Sequence, residues 1–266
     1  MLTFRYASRA SQGARHYQED SEAVWPGPSP LAPSFSGAPP PHVAMVAVLA
    51  DGMGGHAAGD VASSTICKVF LEHFLGGTGT AVSRLAPALE AANEAIRAKG
   101  VANPSLGGMG ATCVGLVVGD QGASWISVGD SPLWRFRDGQ LERLNEDHSL
   151  APLLDQLVAS GEMNAEEAAS DPRRHYLRSA VTGEDLDLVD TSADPLALSA
   201  SDIILLASDG VLTLADDEIL QIIANDQNSP PEVIADALIG ATLAVGDPFQ
   251  DNITVVVVKV EAGPAP

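Results

Sequence analysis

The chain has 266 residues, with 35 acidic side chains against 14 lysines and arginines and a formal net charge of −21. Such an excess argues against a nucleic-acid binder or a protein held on anionic membrane, since both need Lys and Arg to displace counterions. Cys67 and Cys113 stand far apart in apolar stretches, which excludes a disulfide framework or a zinc spacing and predicts buried thiols in a reducing compartment.

The first residues contain no apolar signal region, and no apolar run reaches transmembrane length, so the expectation is a soluble, cytoplasmic protein. Residues 4–7 predict an edge strand and 21–25 a second one. Residues 26–41 are rich in Pro, Gly and Ser and predict a surface loop, because Pro removes ladder donors. The apolar run 43–50 predicts a buried strand that stops at Asp51 and Gly52. A helix over 60–75 follows from the spacing of Ala62, Ile66, Val69, Phe70 and Phe74. Another over 81–99 follows from Val82, Leu85, Leu89, Ala92 and Ile96.

Strands are predicted at 111–118, 123–128 and 133–137, and Asp138-Gly139 predicts a hairpin into 141–144. Residues 151–169 read as helix broken at Gly161, and 173–188 as irregular. A buried strand over 203–207 ends in Ser208-Asp209-Gly210. Helices are predicted over 216–224 and 231–245, the second opened by Ser229 and Pro230. The β-branched run 253–260 suits a sheet centre. Two successive helices between strands fit antiparallel sheets flanked by helix pairs, an α+β fold, better than a doubly wound parallel sheet. Core strands spread from end to end, so one domain is expected.

Apolar strands repeatedly stop at aspartate: Asp51, Asp130 and Asp209 each end one, and Asp251 stands just before the last. Any one Asp-Gly is ordinarily a turn. Antiparallel pairing, however, can bring one strand's end beside another's start, so Asp51, Asp209 and Asp251 are expected at one sheet edge. Gathered carboxylates repel and resist burial, and a divalent cation removes both problems. Oxygen donors without a His or Cys cluster suit Mg²⁺ or Mn²⁺.

Taken in order, the segments RHYQED from Arg15 to Asp20, DGMGGH from Asp51 to His56, GAT ending at Thr112, VGDS ending at Ser131, Asp147-His148, SDG around Asp209 and DNIT from Asp251 resemble the metal-dependent protein serine/threonine phosphatases of type 2C (PPM), bacterial branch. The resemblance covers nearly the whole chain. It implies a four-layer α-β-β-α sandwich with two central antiparallel sheets, in one phosphatase domain over residues 1–262. It further implies a bridging role for Asp51 between two Mn²⁺ or Mg²⁺ ions, a Gly52 carbonyl ligand, Asp209 and Asp251 completing one site, and Glu19 and Asp20 beside the other. Arg15 is implied as the phosphate contact, where a guanidinium fork matches two oxygens. Asp130 is the candidate for a weaker third metal, with Thr213 standing where many relatives carry an Asp. Residues 159–182 occupy the place of the family's variable flap.

The expected reaction is hydrolysis of phosphoserine or phosphothreonine by a hydroxide shared between the two ions, with no phosphoenzyme. His56 is a candidate general acid. Met53 takes the place where relatives carry His, and Pro132 replaces the Arg that often follows GDS. Asp147-His148 reads as structural, and His16, His42, His73 and His175 as incidental. Phosphoproteins and a cognate serine/threonine kinase are the expected partners, nucleic acid and membrane are not, and a monomer is the default. The rival readings are a catalytically silent phosphatase-like regulatory module and a metal-dependent nuclease.

Overall fold

The computed structural model describes residues 2–27, 40–54 and 57–263. Most of the proline-rich loop predicted over 26–41 therefore lies outside the described residues, as does His56.

In chain order the strands are β1 (Leu2–Ser11), β2 (Ser21–Trp25), β3 (Val43–Ala50), β4 (Gly52–Met53), β5 (Gly110–Ala111), β6 (Cys113–Gly119), β7 (Gly122–Val128), β8 (Leu133–Arg137), β9 (Gln140–Arg143), β10 (Asp190–Thr191), β11 (Ile203–Ala207) and β12 (Ile253–Ala262). The α-helices are α1 (Ala57–Gly76), α2 (Ala81–Ala102), α3 (Ala151–Ser160), α4 (Ala165–Ser170), α5 (Asp216–Asp226) and α6 (Pro231–Ala244). One five-stranded sheet runs β1-β12-β11-β8-β9 and the other β10-β7-β6-β3-β2. Every pairing within them is antiparallel.

The long apolar runs have a plain cause: both faces of these strands are covered. In β3, Met45, Ala47 and Leu49 point between the sheets, where they join Ile204, Leu206, Val256 and Val258. Alternate residues Val46, Val48 and Ala50 point the other way, onto Ile66, Phe70, Phe74, Leu85 and Leu89 of α1 and α2. The opposite face of the other sheet, with Leu205, Val255 and Val257, packs on Ile219, Ile223, Ile234 and Leu238 of α5 and α6. The layers are therefore helices, sheet, sheet, helices, as expected.

Several features were not predicted. β1 extends over ten residues because it pairs with β12 along its whole length. β4, β5 and β10 are two-residue strands, too short to carry a period. Residues Asp209–Thr213 wind into a 3₁₀ turn instead of a simple turn. The predicted hairpin at Asp138 and Gly139 has both residues at positive φ, 51° and 76°, as a tight two-residue hairpin turn requires. Gly161 ends α3 in the left-handed conformation, φ 78°.

Candidate metal centre

Antiparallel register brings the acidic residues together. Ala207 at the end of β11 pairs with Val255 near the start of β12, so Asp209 and Asp251 flank the same sheet end. Ser21 pairs with Ala50, so Glu19 and Asp20, just before β2, adjoin Asp51, just after β3. Cys113 pairs with Val128, which sets Thr112 beside the loop that carries Asp130. The two sheets present these ends to one another.

Polar side chains fasten the arrangement. The Asn252 amide donates to the carbonyls of Gln12 and Tyr17, both at 2.9 Å, and its oxygen accepts from the Glu19 N–H at 2.7 Å. Ser208 Oγ donates to Asp20 Oδ2 at 2.7 Å and accepts from the Thr254 N–H at 2.9 Å. The Ser208–Asp20 and Asn252–Glu19 contacts join one sheet to the other. Thr112 Oγ1 accepts from the Asp51 N–H at 2.9 Å and lies 2.7 Å from Ser131 Oγ, while the Asp51 carbonyl accepts from the Thr112 N–H at 2.9 Å. Gly52 must be glycine, because a Cβ there would lie 2.3 Å from the Gly59 carbonyl and 2.4 Å from that of Glu19.

The result is an open pocket of about 780 Å³ whose lining includes Arg15, Glu19, Asp51, Asp130, Asp209 and Asp251. Asp20 lies beneath it, 7% exposed. Burial first, then the charge of Asp209, pushes the Asp130 carboxyl up to about 7. Asp20 is likewise pushed up to about 7, by burial and, beyond it, by Asp209 and Asp251, against the opposing Ser208 and Thr254 hydroxyls. Asp51 is raised well above the usual carboxylate range by burial and by Asp209, Asp20 and Asp130. Asp209 and Glu19 are raised by burial as well.

Glu19 Oε1, Asp20 Oδ1 and Asp209 Oδ1 are buried without a well-formed hydrogen bond. Among the described residues no three His, Cys, Asp or Glu side chains close round one point as a finished ligand set. The carboxylates instead ring the pocket, and Arg15 Nη2 donates to Asp251 Oδ2 at 2.5 Å. Orphaned acceptors and like charges in contact are the conditions a hard cation relieves. The donors are all oxygen, so the residues fit Mg²⁺ or Mn²⁺ in kind.

Thus Arg15, Glu19, Asp51, Gly52, Asp130, Asp209 and Asp251 line one pocket, and Asp20 sits against it. His148 is 2% exposed, its Nδ1 accepts from the Gly129 N–H at 3.2 Å, and Asp147 Oδ1 accepts from the Ser149 N–H at 2.8 Å. That pair orders a turn, in line with the structural reading. His175, read from sequence as incidental, lines the pocket and electrostatically lowers Asp209. With Tyr176, Arg178 and Ser179 it forms a wall that continues past residue 182 to Asp185 and Asp187. Irregular segments carry no period that announces such a placement. Thr112, Ser131 and Ser208 were visible only as motif members, and their bonding could not be read from spacing.

A two-sheet sandwich with acidic strand ends converging on one pocket defines the structural class of the metal-dependent phosphatases. The description Protein phosphatase 2C matches residues 39–226, and the chain belongs to that family. The serine/threonine protein phosphatase PstP of Mycobacterium tuberculosis is 34% identical over 264 residues, covering 97% of this chain and 45% of that protein. The chain thus spans about half the length of that relative. The serine/threonine phosphatase stp of Listeria monocytogenes is 31% identical over 219 residues, covering 80% of this chain and 84% of that protein. The crystal structure of the M. tuberculosis serine/threonine phosphatase PstP/Ppp superposes with a TM-score of 0.77 at 32% identity, covering 98% of this chain and 100% of that one. The PstP catalytic domain in complex with two manganese ions gives a TM-score of 0.75 at 31% identity, with the same coverage.

Proposed function

We propose that this chain is a metal-dependent protein serine/threonine phosphatase, with residues 1–262 as one catalytic domain. The observation that carries the reading is the set of buried acidic oxygens without partners, gathered from both sheets into one pocket. The names of the relatives and the two manganese ions of one of them support it.

In this reading Asp51 would serve both of two Mn²⁺ or Mg²⁺ ions, and Gly52 would contribute its carbonyl. Asp209 and Asp251 would complete one site, Glu19 and Asp20 would serve the other, and Asp130 would serve a weaker third. Bound there, the cations would acidify water and neutralise phosphoryl charge. Arg15, 55% exposed at its side chain, reaches into the same pocket and offers a fork of donors to phosphate oxygens. Thr112, Ser208 and Asn252 fix the backbone that presents the carboxylates. For the proton on the leaving seryl or threonyl oxygen the chain offers His56, with solvent as the alternative donor. The wall from His175 to Asp187 faces whatever polypeptide flanks the phosphorylated residue.

A cognate serine/threonine kinase, a cytoplasmic setting and a monomer belong to the same reading. Among the described residues no helix is long and apolar enough to cross a membrane. A silent phosphatase-like module is the lesser reading, with only Pro132 and Thr213 in its favour. The test is phosphate release from p-nitrophenyl phosphate and a phosphothreonine peptide with and without Mn²⁺. Turnover that ignores both the metal and Asp209→Ala would falsify the assignment. Metal binding with no release from either substrate would select the silent module.

A further inference from the structure

A second cavity, of about 530 Å³, lies at the other end of the β6–β7 hairpin. Its volume is within the range of about 300–1,000 Å³ typical of small-molecule sites. Val117 and Ser124 form its floor, facing each other across the two strands and each 3% exposed. The start of α2, from Gly79 to Val82, forms one wall, and Pro41, His42 and Pro195 form the lip.

Three groups facing this apolar space, the Ser124 hydroxyl and the N–H groups of Ala81 and Val82, are donors without an acceptor among the described residues. The Ser124 hydroxyl bonds no described residue, although the residue is almost wholly buried. At the start of α2 the Thr80 hydroxyl is already used, accepting from the Ser83 N–H and donating to Ser83 Oγ, both at 3.2 Å. The N–H groups of Ala81 and Val82 find no acceptor among the described residues. Helix geometry leaves them unpaired, and the dipole of a 22-residue helix adds positive potential there. His42 Nδ1 lies 2.8 Å from Asp120 Oδ2, which ties the lip to the hairpin, and Asp120 itself is not part of the lining.

We propose that this cavity, where the buried Ser124 hydroxyl and the open Ala81 and Val82 N–H groups meet the aliphatic floor of Val117, binds a small amphipathic carboxylate. The carboxylate takes the donors and the apolar body covers Val117, Val82 and the two prolines. β7 leads from Gly122 at this cavity to Val128, close to Asp130, so the site stands at the opposite end of the strand from the acidic pocket.

The test is calorimetric titration of the metal-free full chain with octanoate, octan-1-ol and octylamine, so that no metal in the acidic pocket competes for the carboxylate. Octanoate should bind saturably and about tenfold or more tighter than the alcohol, since a charged acceptor makes the stronger hydrogen bonds; the cation, whatever it does at the acidic pocket, should not compete with octanoate. Ala81→Pro removes one N–H at the first helical position. It should leave α2 intact, because Thr80 already has φ −76° and ψ 162°, which suit a residue before proline. Ala81→Pro and Ser124→Ala should each weaken octanoate about three- to tenfold while leaving octanol unchanged, the scale of one hydrogen bond. Circular dichroism checks that both variants are folded. Equal binding of octanoate and octanol, a titration that never saturates, or folded variants that bind octanoate as tightly as the parent would each overturn the proposal.

Discussion

Two places in this molecule bury aspartate, and they treat it in opposite ways. Where β8 crosses β11, Asp202 is 1% exposed and receives Nε and Nη2 of Arg137 at 2.6 and 2.5 Å, with its Oδ2 also accepting from the Ser199 N–H at 2.7 Å. That carboxylate carries its own cation. In the acidic pocket Asp20, Asp51, Asp130 and Asp209 press on one another, Asp209 Oδ1 and Asp20 Oδ1 lack well-formed partners, and the Arg15 guanidinium makes its carboxylate hydrogen bond with Asp251. A chain that gives a buried acid its own bidentate partner where it merely holds two strands, and leaves buried acidic oxygens without one where several acids meet, leaves room for a cation from solution.

The largest expected effect separates the two places by activity. Asp209→Ala should lower Mn²⁺-dependent phosphate release by about 10²–10³-fold, the scale of losing one electrostatic stabiliser, whereas Arg137→Ala should leave the turnover of folded protein near the parent value. Next comes stability, read by urea unfolding of metal-free protein. Arg137→Ala should cost about 3 kcal/mol by leaving Asp202 buried and unpaired, and Asp209→Asn should instead stabilise by relieving like-charge contact. An Asp209→Asn chain markedly less stable than the parent would break the comparison.

A smaller and continuous effect is the response to pH. Carboxyls raised in the folded state bind more protons there than in the unfolded chain, so their contribution is fullest below the ordinary Asp value and is lost as pH rises. With Asp20 and Asp130 pushed up to about 7, metal-free protein should lose stability between about pH 4 and pH 7. Saturating Mn²⁺ should remove that loss, and melting curves at several pH values with and without metal will show whether it does. The smallest effect is expected at Thr112→Val. It strands the Asp51 N–H and the Ser131 hydroxyl and should cost about 1–2 kcal/mol, with reduced turnover from a looser Asp51; unfolding and phosphate-release measurements on that one variant read both.

Much of this was legible beforehand. Val43–Ala50, Ile203–Ala207 and Ile253–Ala262 announce themselves because both of their faces are buried, and the aspartates at their ends point to the pocket. What could not be read were relations between distant residues of ordinary type. Nothing local in Asn252 tells that its side chain holds Gln12, Tyr17 and Glu19, and nothing in Ser208 tells that it holds Asp20. His175 sits in an irregular stretch whose path is set by packing on other elements, so its position beside Asp209 had no periodic signal. The two-residue strands β4 and β5 were invisible for the same reason.

The pairing of β1 with β12 along their full length has a consequence for biosynthesis. Arg15 and Asp251 are 236 positions apart, and the sheet that holds Asp209 lacks an interior strand until residues 253–262 have left the ribosome. A nascent or truncated polypeptide therefore contains the first acids without the partners that gather them. The pocket is therefore complete only once residues 253–262 are present, and a polypeptide terminated before them would lack the strand that positions Asp251 beside Arg15.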